Sequence, residues 1–330
     1  MAPGCVGPPQ RERLTVPIAE AQLVSTVLMI RPVRFLRNPK TAESNTFQEH
    51  TEASAERQQA EALTEFDALV TALRDAGIEV IVVEDTPEPH TPDSIFPNNW
   101  LTTHADGRVV LYPMEASNRR TERRPDIIER LGSDYGFHVS EVIDLSAHEQ
   151  HNCFLEGTGS MVLDRVNKVA YACLSSRTQL HALGDFAQRL DYEVLAFDAV
   201  DRNGVPVYHT NVFMTVGDKL AVVCDEAIPK EEQRAAVLAR LNDSGHEIIR
   251  LSFDQLESFA GNMLQLRAAD GARVMAMSEQ ARKSLDEEQL QRLEKDNRIV
   301  ASPIDRIEWS AGGSVRCMLA EIHLPKNNKI

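Results

Sequence analysis

The stretch CFLEGTGSMVLDRVNKVAYACLSSRTQLHALGDFAQRLDYEVLAFDA, residues 153–199, decides the fold. It opens with an extended apolar–polar segment (153–164) and continues into a second strand-like run, KVAYACLS (168–175). A helical stretch follows from about 178 to 191, with apolar residues spaced near 3.6. The segment ends on a third strand, YEVLAFDA (192–199). Two strands precede the helix, whereas a doubly wound α/β sheet alternates strand and helix one for one. The order reads as a ββαβ unit.

Working outward, the same order recurs. The first unit has VLMIRP (27–32), a helix near 52–76 and IEVIVVE (78–84). The second has extended segments at 94–103 and 108–114, a helix near 124–135 and a strand at 137–145. The fourth has segments at 208–217 and 219–227, a helix near 230–243 and a strand at 246–252. The fifth has segments at 259–268 and 273–278, a helix near 286–296 and a strand at 298–304. A last strand, SVRCMLAEIHL (314–324), is placed to return to the first unit. Gly77 and Gly245 stand just past two helices, where a left-handed residue is wanted. The expected fold is α/β: a five-bladed, pseudo-symmetric propeller of ββαβ repeats, one domain over residues 24–330. Residues 1–23, rich in Pro, Gly and charge, read as a disordered leader.

Composition bounds the function. The 330 residues are 42% hydrophobic and 26% charged, which suits a globular protein with a large core. Lys plus Arg is 35 against 50 for Asp plus Glu, a net charge of −15. That balance argues against nucleic-acid and anionic-membrane partners, which need a basic surface. A small-molecule substrate is the expected partner, and a homo-oligomer is left open. No apolar stretch approaches a membrane span. The five cysteines (5, 153, 173, 224 and 317) form no CxxC pair, so free thiols and a cytoplasmic setting are expected.

The opening segments of successive units place polar residues at matching positions: Asp93, Glu156, His209, Asn262 and Cys317. In a five-bladed ring such segments point at the axis, so residues far apart in sequence converge. Carboxylates, an imidazole and a thiol gathered this way make a nucleophilic site. Taken singly, Cys317 reads equally well as a buried apolar residue and His209 as a satisfied core histidine. Their joint placement favours catalysis. GTG at 157–159 lacks the third glycine of a dinucleotide fingerprint, and HEQH (148–151) lacks the HExxH zinc spacing. No cofactor and no metal are expected.

FLEGTG, YHTN and GGSVRCM, in that order, resemble the guanidino- and ureido-modifying superfamily, the penteins. PDSIFPNN, NRRTE (118–122) and LSSRT (174–178) match further motifs of that superfamily. MIRPVRFLRNPKTAESNTFQ (29–48) and PDSIFPNNW look closest to its citrulline utilization hydrolase branch. The resemblance implies that Cys317 is the nucleophile. It makes His209 the general acid and base, and Glu156 the acceptor that orients the substrate N–H groups. It implies that Arg119 and Arg177 grip the α-carboxylate and that Asp93 binds the polar end of the substrate. Relatives that process arginine carry acids where this chain has Asn98, Asn99 and Asn211. Amides remove negative charge and offer both donors and acceptors, which suits a neutral ureido group. The leading expectation is hydrolysis of citrulline to ornithine, ammonia and carbon dioxide. Dimethylarginine dimethylaminohydrolase, arginine deiminase and amidinotransferase activities are the alternatives, and a non-catalytic binding role comes last.

Overall fold

The computed structural model of the protein describes residues 20–41, 45, 47–48 and 53–327. Of the leader expected over 1–23, residues 1–19 lie outside the described residues, while Glu20, Gln22 and Leu23 are buried.

Unit one contributes β1 (Thr26–Arg31), α1 (Ala55–Asp75) and β2 (Glu79–Glu84). Unit two has β3 (Leu101–Thr103), β4 (Arg108–Leu111), α2 (Pro125–Ser133) and β5 (Glu141–Asp144). Unit three has α3 (Gly157–Ser160), β6 (Met161–Asp164), β7 (Val169–Cys173), α4 (Leu180–Leu190) and β8 (Glu193–Phe197). Unit four has β9 (Met214–Val216), β10 (Leu220–Val223), α5 (Glu231–Asp243) and β11 (Glu247–Arg250). Unit five begins with α6 (Phe253–Glu257), β12 (Leu264–Arg267) and β13 (Arg273–Ser278). It continues with α7 (Glu279–Ser284), α8 (Glu287–Glu294) and β14 (Arg298–Ser302). The chain ends through α9 (Asp305–Ala311), α10 (Val315–Met318) and β15 (Ala320–Glu321).

These strands form five three-stranded sheets with one repeated pattern. In units two to five the first two strands are antiparallel and the second and third parallel. Parallel neighbours need a crossover, which the helix of each unit provides. The first sheet is completed from far along the chain. β15 pairs antiparallel with β1, setting Val27 opposite Glu321 and Leu28 opposite Ala320, while β1 runs parallel to β2. The five ββαβ repeats expected from the sequence are therefore five small mixed sheets, with unit one borrowing its outer strand.

Two expectations about strands are corrected. The opening segments at 94–103, 153–164 and 208–217 are strands only in their last three or four residues. The residues before them form single helical turns. The strand expected over 314–324 is a helical turn at Val315–Met318 followed by two paired residues. The physical reason is the turn itself. A strand would alternate its side chains between two faces, whereas these turns bend the backbone and gather polar side chains on one point.

The helices hold the sheets by burying one face. α4 turns Ala182, Leu183, Phe186 and Leu190 inward, against β7, which is buried throughout. The Phe186 ring lies among Tyr112, Tyr192 and His104. Ser54 caps α1 by accepting from the Arg57 amide, and Gly77 and Gly245 adopt the left-handed conformation expected of them. A short N-terminal strap ties three units together. Gln22 Nε2 donates to the carbonyls of Leu163 and Val216, both at 3.0 Å, and the Arg267 amide donates to Val24 O at 2.9 Å. Beside it, Glu20 receives Arg165 at 2.6 Å and Lys168 at 2.8 Å.

Candidate active site

The turns that precede the strands meet at one small cavity. It is lined by Asp93, Asn99, Arg119, Arg177, Tyr208, His209 and Cys317, with Phe96 and the Ala311–Gly313 loop closing one side. Thr41 and Asn45 of the first unit line it as well.

Glu156 stands at the start of α3 and is fully buried. Its Oε1 accepts from the Glu115 amide at 3.0 Å. Its Oε2 faces His209 Nε2 at 2.9 Å, Arg119 Nη1 at 3.6 Å and Arg177 Nη1 at 3.7 Å. Burial alone would push this carboxyl up. Arg177, the His209 hydrogen bond and Arg119 outweigh it and hold the pKa at about 2. For His209 burial wins: it lowers the imidazole to about 4 against the pull of Glu156, with Arg177 and Arg119 adding to the decrease. At neutral pH the pair is a carboxylate beside a neutral ring, and the ring's tautomer is set by its bond to Glu156.

Glycine makes this approach feasible. Gly157 has φ +48°, and a Cβ there would fall 2.3 Å from the Asn98 carbonyl oxygen. A Cβ on Gly159 would fall 2.5 Å from Asn99 Nδ2 and 2.6 Å from His209 Nδ1. Gly159 is thus the residue against which the imidazole packs.

The thiol lies at the centre of the one-turn helix α10, and Cys317 is 3% exposed. Its Sγ receives two amide donors, Asn211 Nδ2 at 3.4 Å and Asn262 Nδ2 at 3.3 Å. Asn211 was expected at the substrate. It touches the sulfur, and its Oδ1 is buried without a hydrogen-bond partner. Asn262 occupies the matching position of unit five, and the sequence offered no role for it.

Arg119 is a brace rather than a free clamp. Its Nε and Nη2 form a fork with Glu122 at 3.0 and 2.9 Å, and its Nη1 donates to Asn99 Oδ1 at 3.0 Å. It also lines the cavity. Arg177 lies over the Tyr208 ring at 4.8 Å and donates to the Thr41 carbonyl at 3.2 Å. Asp93 Oδ2 accepts from Asn38 at 2.7 Å and faces Arg119 Nε at 3.5 Å, while Oδ1 is buried and unpartnered. Asn98 is drawn away from the cavity: it accepts from Asn99 Nδ2 at 3.0 Å and donates to Thr158 at 3.4 Å. Glu122, Tyr208 and Asn38 were not anticipated. Only Glu122 left a trace in the sequence, three residues after Arg119 in NRRTE.

The family model described as N,N dimethylarginine dimethylhydrolase, eukaryotic, matches residues 31–324. The chain belongs to this family. No curated protein matches the chain. Among solved structures, the substrate-bound N-terminal domain of ArgZ is 19% identical, with a TM-score of 0.67. ArgZ is an arginine dihydrolase from the ornithine-ammonia cycle in Cyanobacteria, and the match covers 91% of this chain and 99% of that one. Unliganded AgrE is 19% identical over 92% of this chain, with a TM-score of 0.70. A dimethylarginine dimethylaminohydrolase adduct with S-methyl-L-thiocitrulline is 16% identical over 90% of this chain and 99% of that chain, with a TM-score of 0.60. The chain spans 40% of the length of full ArgZ and AgrE. At these identities the likeness is one of fold.

Proposed function

We propose that the protein is a cysteine-dependent hydrolase of a ureido or guanidino amino acid, with citrulline as the leading substrate. One observation carries the preference for a neutral headgroup. The acids at the cavity, Glu156 and Asp93, already face the protein's own guanidinium groups, Arg119 and Arg177. A cationic substrate head would have to share them, whereas a ureido group can use Asn211 Oδ1 and the unpartnered Asp93 Oδ1 as acceptors.

In the proposed route the Cys317 thiol proton passes to His209 as substrate binds. The sulfur then attacks the ureido carbon, and the imidazolium returns the proton to the departing ammonia. This leaves a thiocarbamate, in which Cys317 Sγ is bonded to the carbonyl carbon that still carries the ornithine nitrogen. Neutral His209 next takes a proton from water, hydroxide displaces the sulfur, and the carbamate of ornithine loses carbon dioxide. Glu156 holds the imidazole in register and accepts from the substrate N–H. Arg177 binds the α-carboxylate in this reading. The five sheets are taken as the blades of a propeller, a reading supported by the β15–β1 pairing and by four units meeting at one cavity. The described cysteines, 153, 173, 224 and 317, are all free, which supports a cytoplasmic setting. Among the described residues no helix is long and apolar enough to cross a membrane.

A second reading, hydrolysis of dimethylarginine, is favoured by the family match itself. The test is ammonia and dimethylamine release from citrulline, arginine, asymmetric dimethylarginine and agmatine, for the parent and for Asn99→Asp. Citrulline turns over fastest in the parent, and the added carboxylate shifts preference toward the cationic substrates. Faster dimethylarginine turnover by the parent would discard the charge argument and leave the thiol mechanism standing.

A further inference from the structure

The sulfur of Cys317 has two side-chain N–H donors, Asn211 Nδ2 and Asn262 Nδ2. Asn262 is the better fixed of the two. Its Oδ1 accepts from the Arg316 backbone amide at 3.0 Å, so that atom is the oxygen and the other is the amino group. The amino group then donates to the Asn211 carbonyl at 2.8 Å and to Sγ at 3.3 Å. Both bonded backbone groups belong to the site: Arg316 immediately precedes the nucleophile, and Asn211 is the second donor. Asn262 is wholly buried and has no rotamer freedom left to spend.

We propose that Asn262, together with Asn211, holds the Cys317 sulfur in its anionic form, which makes Asn262 a catalytic residue. Donors aimed at an anion in a dry site stabilise it more than they do a neutral thiol. Each such bond to a charged group changes the balance enough to move a titration by about one to two pH units. When the thiol ionises, the S–H bond breaks heterolytically, the electron pair stays on Sγ, and the proton leaves to bulk water or to His209. The two amide donors are neutral, so they hold the sulfur without adding a positive charge that would repel a cationic substrate or bind a stray anion. In the proposed route His209 takes that proton and returns it to the departing ammonia. The inference rests on the reading of Cys317 as nucleophile, but its test does not depend on the substrate.

The experiment is alkylation of the full chain by iodoacetamide across a pH series, read by mass spectrometry on the peptide that carries Cys317. In Asn262→Leu the midpoint of alkylation rises by about one to two units relative to the parent. Activity falls about tenfold to a hundredfold below the new midpoint and recovers above it. A midpoint that stays in place overturns the proposal, whether or not turnover falls. Asn262→Asp keeps the acceptor for the Arg316 amide. A rise there without one in Asn262→Leu would report added charge alone and would also overturn it. Should Asn262→Leu fail to fold, Asn211→Ala removes the other donor. Its midpoint must rise as well, and an unmoved one refutes the proposal. If no substrate on the panel is turned over, the alkylation series still decides the question.

Discussion

Replacing Glu156 by Gln tests the electrostatics of the site most directly. Gln keeps an oxygen for the Glu115 amide but points an NH₂ group at His209 Nε2, Arg119 and Arg177, which stand 2.9, 3.6 and 3.7 Å from Oε2. The size of the loss follows from the carboxyl's displacement from its ordinary value of 4.5 to about 2. At 1.36 kcal/mol per unit, the folded protein favours the ionised form by about 3 kcal/mol. Breaking one member of a buried ion cluster costs a similar amount. The folded value lies below the unfolded one, so the contribution is complete above about pH 5 and is lost as pH falls toward 2. Urea melts of parent and variant should therefore differ by about 3 kcal/mol at pH 7, and the gap should close as the acid limb is approached. Ammonia release should fall by about two to four orders of magnitude, the range for a displaced acid–base group. A variant as stable as the parent at pH 7, or a gap that does not change with pH, would refute the reasoning.

His104 is buried and lowered to about 4, chiefly by burial against the pull of Glu20, so it enters the fold uncharged. Its contribution is complete above the unfolded value near 6.5 and is lost as pH falls toward 4; His104→Gln should flatten that limb of a stability–pH curve by up to about 3 kcal/mol, and an unchanged slope would count against it. Gly159→Ala places a methyl 2.6 Å from His209 Nδ1, and since misplacing a catalytic group by about 1 Å costs roughly a hundredfold, turnover should fall at least that far while circular dichroism stays native. Full activity in that variant would mean that the imidazole does not need its present seat.

The helices and inner strands were legible because burial writes its period into the residues. In α4, Ala182, Leu183, Phe186 and Leu190 recur at helical spacing, and β7 and β10 are apolar throughout. The opening turns were not legible as turns. In 153–164 the apolar runs CFL and MVL read as one strand across EGTGS, yet the chain turns there, with Gly157 at positive φ in close contact with the Asn98 carbonyl of unit two. That contact depends on Asn98, some sixty residues away, and no local pattern encodes it. The proposed trio of Glu156, His209 and Cys317 stood out because an acid, an imidazole and a thiol recur at matched positions. Asn262 shared that position, yet a carboxamide carries no chemistry until the sulfur beside it is seen. The partner of Arg119 was not legible either: its fork with Glu122 is buried, and a run of alternating charges does not show which pair is taken inside.

The pairing of β15 with β1 gives the enzyme a built-in order of assembly. Cys317 lies three residues before a strand whose partner was made about 290 residues earlier, a loop whose closure costs roughly 5 kcal/mol of chain entropy before any contact repays it. During synthesis, the turns bearing Glu156 and His209 leave the ribosome well ahead of the thiol. The sulfur meets its donors, Asn211 and Asn262, only after residues 315–318 have been made and have folded back onto units four and five. The cavity that holds Cys317 is therefore completed only near the end of synthesis, after the other residues that line it have been made.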